Sequence, residues 1–240
     1  MAPIALWLLK FGVWVPFVIG GIICFAATLL VSITIPHVRE EIPESSFDFH
    51  LVRRITLSLT TNLMAGFMEG ALIALIPVYA LRQSFNTVYA LRQSFNTGQT
   101  GMLLFAFMLG HGGGPPLIGI LADRVGLRRI LALVYGLGTI SFIVILLFPA
   151  YMTLTILLIL AGASVGALYP LAVGLIGEVL SSSELPRGNA MTTFAYGIGS
   201  IIGPLFPALI MHVTVPKSLF VISAILYIIV LVVMGVQKRS

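Results

Sequence analysis

Charge is what this sequence most lacks. Only 9% of its 240 residues are Asp, Glu, Lys or Arg, against roughly 25% in an ordinary soluble domain. Apolar residues make up 59%, more than a soluble domain can bury, so a water-soluble fold is excluded. Cysteine is nearly missing too. Cys24 stands alone inside an apolar run, which excludes an intrachain disulfide and any thiolate metal cluster and leaves a small buried hydrophobe. Met1-Ala-Pro carries no basic segment, and no small-residue cleavage site precedes soluble sequence, so no cleavable signal peptide is expected. The glycine run 112–114 lacks the preceding strand and the Gly-Lys-Ser/Thr ending of a phosphate loop. With no catalytic triad and no metal-ligand cluster, the sequence predicts no enzyme, no cofactor, no bound metal and no ATP-driven pump. The net charge of +5 sits in short loops. It orients a chain in a lipid bilayer and builds no nucleic-acid surface.

What the sequence does have is apolar runs of membrane-spanning length, about 20 residues each. Seven are expected, at 14–35, 56–80, 98–119, 130–148, 153–178, 189–212 and 217–236. The polar exception is 36–55. Its segment Pro36-His-Val-Arg-Glu-Glu-Ile-Pro-Glu-Ser-Ser-Phe-Asp holds four of the eight acids and reads as a solvated linker with a short surface helix. Placing 36–55, 120–129, 181–188 and the tail in the cytoplasm puts nine basic residues inside: Arg39, Arg53, Arg54, Arg124, Arg128, Arg129, Arg187, Lys238 and Arg239. Four fall outside: Lys10, Arg82, Arg92 and Lys217. Nine against four orients the chain, with the N-terminus outside and the C-terminus cytoplasmic.

The most informative stretch is Gly119-Ile-Leu-Ala-Asp-Arg-Val-Gly-Leu-Arg-Arg129, between two long apolar runs. Gly119 would let helices approach closely. Asp123 would accept from free N–H groups at a helix start. Gly126 would supply a positive φ for a tight turn. Arg124, Arg128 and Arg129 can grip carboxylates. This pattern resembles the signature loop of the major facilitator superfamily of secondary transporters, found between helices 2 and 3 with a weaker copy between helices 8 and 9. The run Lys10-Phe-Gly-Val-Trp-Val-Pro-Phe-Val-Ile-Gly20 resembles that family's junction of helices 5 and 6. The resemblance implies an all-α membrane protein whose seven spans correspond to helices 6–12, preceded by a partial helix 5. On that reading 1–35 ends the N-terminal half, 36–55 is the central cytoplasmic linker, and 56–240 is a C-terminal six-helix bundle. The alternative is a genuine seven-span protein.

An oddity interrupts this pattern. Val78-Tyr-Ala-Leu-Arg-Gln-Ser-Phe-Asn-Thr87 recurs without change as 88–97. Diverged structural repeats are not identical over ten residues, so this reads as a recent duplication or an assembly error rather than a solenoid. As helix the insert would add about 15 Å and turn the chain by about 1000°. A longer helix end or loop on the outer side absorbs it more easily.

Glu69, in Gly66-Phe-Met-Glu-Gly-Ala71, lies mid-span. A carboxylate there costs about 3 kcal/mol on the lenient scale and defaults to a functional reading, proton coupling or substrate binding; the plainer reading is a structural hydrogen bond. His111 opens His111-Gly-Gly-Gly-Pro-Pro116, a run expected to break the helix next to a water-filled cavity, where His111 could relay protons with Glu69. Asn62, Tyr169, Asn189 and Tyr196 are polar groups in or near spans that could line the same path, with Tyr169-Pro170 expected to interrupt its helix. Gly199 and Gly203 form a small-xxx-small packing face, and Gly203-Pro204 a kink. They resemble the helix 5 motif of family antiporters, moved to its pseudo-symmetric counterpart. By the same resemblance Glu178 would latch the signature loop through Arg124 or Arg128.

The sequence thus predicts a secondary transporter moving a small solute by alternating access, with proton coupling, in the inner membrane of a bacterium. Its partners would be lipid, an unidentified small molecule, and an N-terminal half supplied in trans or by a homodimer. A non-transporting remnant or scaffold is the alternative; an intramembrane enzyme using Glu69 and His111 has no nucleophile to support it. The topology is testable. In a chain with Cys24→Ser, Ser45→Cys and Ser94→Cys should label from opposite faces with an impermeant maleimide. Labelling of both from one face would overturn the orientation.

Overall fold

Among the described residues, six helices between 56 and 235 are long and apolar enough to cross a bilayer, which makes this an integral membrane protein. The computed structural model describes residues 15–34, 49–82 and 95–237. Residues 10–14 of the Lys10–Gly20 resemblance lie outside them, as do most of the linker and most of the repeat. The chain divides into two compact units, Met1–Asp48 and Phe49–Ser240. The first contains α1, Val15–Thr34, a shorter apolar helix. Its hydroxyls turn back onto their own backbone, as when Thr28 Oγ1 donates to the Cys24 carbonyl at 2.9 Å, so α1 carries few free polar groups.

The second unit is the bundle. Its elements are the short α2 (Phe49–Arg54), then α3 (Thr56–Arg82), α4 (Thr97–Val125), α5 (Leu127–Leu147), α6 (Tyr151–Val179), α7 (Leu185–Val213) and α8 (Ser218–Gln237). The breaks expected at His111–Pro116 and Tyr169-Pro170 are not seen: Pro115 and Pro116 lie inside α4 and Pro170 inside α6, and both helices continue past them. Pro204 and Pro207 likewise lie inside α7. A proline removes one N–H donor and frees the carbonyl four residues back. In a membrane bundle, neighbouring helices make that loss tolerable.

α4 starts where the second copy of the repeat ends. Asn96 Oδ1 accepts from the Gln99 N–H at 2.8 Å and Gln99 Oε1 accepts from the Asn96 N–H at 3.0 Å, a reciprocal capping box. The first copy has the same asparagine, Asn86, but Tyr89 three residues on. Only the second copy is followed by the Gly98-Gln99 that completes the cap. At the other end, Gly126 turns α4 into α5 with φ +100°, a value L side chains rarely adopt.

Helix association in lipid gains nothing from excluding apolar surface from water, so it depends on close contact. Two pairs of helices meet backbone to backbone. In α3 and α7, a Cβ at Gly66 would strike the Tyr196 carbonyl, one at Gly199 the Leu63 carbonyl, and one at Gly203 the Phe67 carbonyl. In α4 and α6, a Cβ at Gly110 would strike the Ile159 carbonyl, one at Gly162 the Phe107 carbonyl, and one at Gly166 the His111 carbonyl. Residue numbers rise together along both contacts, so both pairs run parallel. An aromatic cluster then fixes α5 and α8. Tyr79 meets Phe220 at 4.8 Å, Tyr135 meets Tyr227 at 4.9 Å, and Phe142 meets Tyr227 at 5.4 Å between ring centroids, all edge-to-face.

These glycines separate by environment. Gly162→Leu should destabilise the detergent-solubilised protein by about 3 kcal/mol or more, because the colliding atoms are backbone. Gly113→Ala, where a Cβ meets nothing within 4 Å, should be neutral or stabilise by up to about 1 kcal/mol through helix propensity. Thermal melting in one detergent distinguishes them; equal effects would remove the glycine contacts from the account of packing.

Candidate functional site

The glycine contacts bring four side chains from four helices to one hollow. Tyr196 on α7 donates its hydroxyl to Glu69 Oε2 on α3 at 2.6 Å. His111 Nε2 on α4 stands 3.4 Å from the same oxygen. Tyr169 on α6 meets the Tyr196 ring edge-to-face at 5.4 Å. Phe107 lies a turn from His111, its ring centroid 5.9 Å away. Glu69, His111, Tyr169, Pro170, Thr193 and Tyr196 line a hollow of about 430 Å³ with otherwise small and apolar walls. Glu69 and His111 are each about a quarter exposed, at 28% and 25% of the side chain. Both remain reachable from the hollow while bonded to each other.

The backbone explains this convergence. Gly66 lets the Tyr196 backbone rest on α3, three residues before Glu69. Gly162 and Gly166 grip the backbone of His111 itself, including the carbonyl that Pro115 frees. Each polar side chain therefore projects from a pinned segment.

Other candidates fall elsewhere. Asn62 is fully buried on α3, and neither atom of its amide has a partner among the described residues. It is seven residues before Glu69, about 700° of helix and so within roughly 20° of the same face. Asn189 is exposed near the start of α7. Of the signature residues, Asp123, Arg124, Arg128 and Arg129 are exposed. Asp123 makes no capping hydrogen bond among the described residues, and α5 starts at Gly126 without a side-chain cap. Gly119 contacts no helix, since a Cβ there meets nothing within 4 Å. Gly199, Gly203 and Pro204 do lie in the contact with α3; the Pro204 ring faces Gly70.

The Glu178 latch is absent among the described residues. Glu178 is exposed and makes no ion pair with Arg124, Arg128 or Arg129. The acid engaged at this end is Glu184, whose Oε1 accepts from Arg54 Nη1 at 2.7 Å, while Arg54 Nη2 donates to the Val179 carbonyl at 2.6 Å. Leu51 and Ile55 pack on Ile176 and Leu180 beside it. The short helix α2 is thereby clamped to the α6–α7 turn.

A family model for the Major Facilitator Superfamily matches residues 58–239. The chain belongs to that superfamily. Relatives include the MFS-type transporter YfkF of Bacillus subtilis, 27% identical over 85% of this chain and 51% of the relative. YcaD of Escherichia fergusonii is 28% identical over 72% of this chain and 42% of the relative. The chain thus spans about half the length of the curated relatives it matches. In fold it is similar to an auto-inhibited POT family peptide transporter, with a TM-score of 0.65 at 19% identity over 78% of this chain and 37% of that one. PepTSo, another POT family transporter, gives a TM-score of 0.65 at 17% identity over the same shares.

In this member of the superfamily the clamp has a defined pH range. The Ser181 backbone N–H, then its hydroxyl, then Arg54 hold the Glu184 carboxyl at about 2, below its usual 4.5. A depressed value means the contribution is present above 4.5 and is lost as pH falls toward 2. Hydrogen exchange of the 49–55 amides, corrected for intrinsic rate, should be constant from about pH 8 to pH 5. Glu184→Gln and Arg54→Ala should each accelerate it throughout that range. Unchanged exchange in both variants would show that apolar packing alone holds α2.

Proposed function

We propose that this bundle forms one wall of the solute path of a proton-coupled secondary transporter working by alternating access, with Glu69 as the coupling carboxylate. The observation that carries the reading is the convergence of Glu69, His111 and Tyr196 on one oxygen inside an apolar hollow. An ionisable group in a span that faces a cavity and pairs with another ionisable group is the usual form of a proton site. The superfamily's architecture, with its site near the bilayer midplane between two six-helix halves, supports the same reading. So do the outward faces of α4 and α7, which flank the hollow and expose Leu109, Leu117, Phe194 and Leu205. They offer a long apolar surface to a complementary bundle, on the same polypeptide, in trans or from a second copy. In this reading the protein lies in a bacterial inner membrane with its C-terminus in the cytoplasm. Tyr169 and Tyr196 contact solute and Asn62 extends the polar line below Glu69.

The test uses the transport-competent assembly in vesicles, screened against a panel of small solutes under an imposed pH gradient. Glu69→Gln keeps shape and hydrogen-bonding capacity but cannot release a proton. It should fold, abolish gradient-driven accumulation, and retain solute exchange. Glu69→Ala should also lower expression, because it leaves Tyr196 and His111 unpartnered. Wild-type accumulation by the Gln variant would sink the coupling role.

A further inference from the structure

A second hollow, of about 420 Å³, lies at the end of the bundle that carries the signature turn and shares no lining residue with the first. It is formed by three helices: Leu57 at the start of α3, Arg128, Arg129 and Ala132 in the first turns of α5, and Leu231 and Met234 near the end of α8. The chemistry is two-sided. Two arginines, Arg128 and Arg129, line it, and among the described residues neither makes an ion pair. The remaining walls are aliphatic or thioether. Around the hollow, α5 and α8 expose Leu133, Ile140, Ile229 and Val232, so this side of the bundle faces acyl chains. The first turn of α5 holds no acidic residue, so no neighbour there competes with an anion for the arginines.

Paired guanidiniums match the oxygens of a phosphate diester. A soluble anion would need the arginines alone. The aliphatic walls and the opening toward the lipid-facing side suit a ligand with an apolar tail. We propose that this hollow binds the headgroup of an anionic phospholipid, with Arg128 and Arg129 on the phosphate and the first acyl carbons against Leu57, Ala132, Leu231 and Met234. A lipid seated there ties the start of α3 to α5, which opens at the signature turn, and to α8. The inference is independent of transport and of Glu69.

The test uses the full chain in a zwitterionic detergent, titrated separately with dioleoyl phosphatidylglycerol, dioleoyl phosphatidylcholine and inorganic phosphate. Bound lipid is read by native mass spectrometry and by the shift in melting temperature. Phosphatidylglycerol should form a retained adduct and raise the melting temperature; phosphatidylcholine and phosphate should do neither. In the Arg128→Gln, Arg129→Gln double variant the affinity should fall about thirtyfold, the worth of two interfacial basic residues. Ala132→Trp keeps both arginines and fills the hollow, and it should lose the adduct as well. That arm decides the matter if the double variant folds poorly. Equal binding of the two lipids, phosphate displacing the phosphatidylglycerol, or full retention of the adduct by Ala132→Trp would each overturn the assignment.

Discussion

Close approach of backbone to backbone at glycine is the constraint on which the rest of this bundle depends. Four Gly-x-x-x-Gly segments supply it: 66–70, 110–114, 162–166 and 199–203. Each lies in a different helix, and they pair as α3 with α7 and α4 with α6. If a bulkier residue prised either pair apart, lipid would offer no hydrophobic force to bring the helices back together. The pairing also has the symmetry expected of inverted three-helix repeats. If α3-α4-α5 is exchanged with α6-α7-α8, α3 takes the place of α6 and α4 that of α7. The first glycine pair then becomes the second.

The same glycines that pack the bundle also place its polar groups. Glu69 lies inside 66–70 and His111 inside 110–114, so both project from backbone that a partner helix holds still. A flexible carboxylate in this setting could turn to water and leave its partners. A pinned one keeps Tyr196 and His111 on a single oxygen, with the hollow open beside it. Asn62 is buried, and its amide has no partner among the described residues. An unpaired buried amide group costs about 1–3 kcal/mol, and a chain that keeps one on the same face as its central carboxylate is spending stability on polarity in that place.

Much of this was legible in the sequence, for identifiable reasons. Run length and charge scarcity marked out the spans, because hydrocarbon thickness fixes how many apolar residues a helix needs. Gly126 was readable because a tight turn between two long helices needs a residue that accepts positive φ. Glu69, His111, Tyr169 and Tyr196 were identifiable as polar exceptions. Their sharing of one path was expected from polarity alone; which atoms meet was not legible, since register between helices leaves no mark within either one. The same gap hid three of the four glycine segments. Their spacing is plain in the sequence, but spacing does not say which faces meet, and Gly119 looked equally suited to packing yet faces open space. The latch shows a different failure. Glu178 and Glu184 are six residues apart at one helix end, and Arg54 lies in a linker that periodicity does not position. Proline was over-read in α4 and α6: it removes one hydrogen bond, and a bundle can absorb that without ending the helix.

The seam between the two glycine-locked pairs is where chemistry and motion can meet. Glu69 and Tyr196 belong to one pair, His111 and Tyr169 to the other. The Glu69–His111 contact therefore crosses the seam, and its strength depends on how many protons the two groups share. With one proton, the pair is a carboxylate and an imidazolium, or a carboxylic acid donating to a bare imidazole nitrogen. With none, a neutral imidazole still donates to the carboxylate when its proton is on Nε2. With two, an imidazolium faces a neutral acid, and the attraction between opposite charges is lost. Under the proposed function, the link across the seam is strongest with one shared proton and weaker with two or none. A lone carboxylate would not behave this way, since its bond to the Tyr196 hydroxyl survives in either state by reversing the donor. A histidine opposite the acid is what makes the link between the pairs depend on proton count, while the glycine contacts within each pair are backbone against backbone and do not titrate.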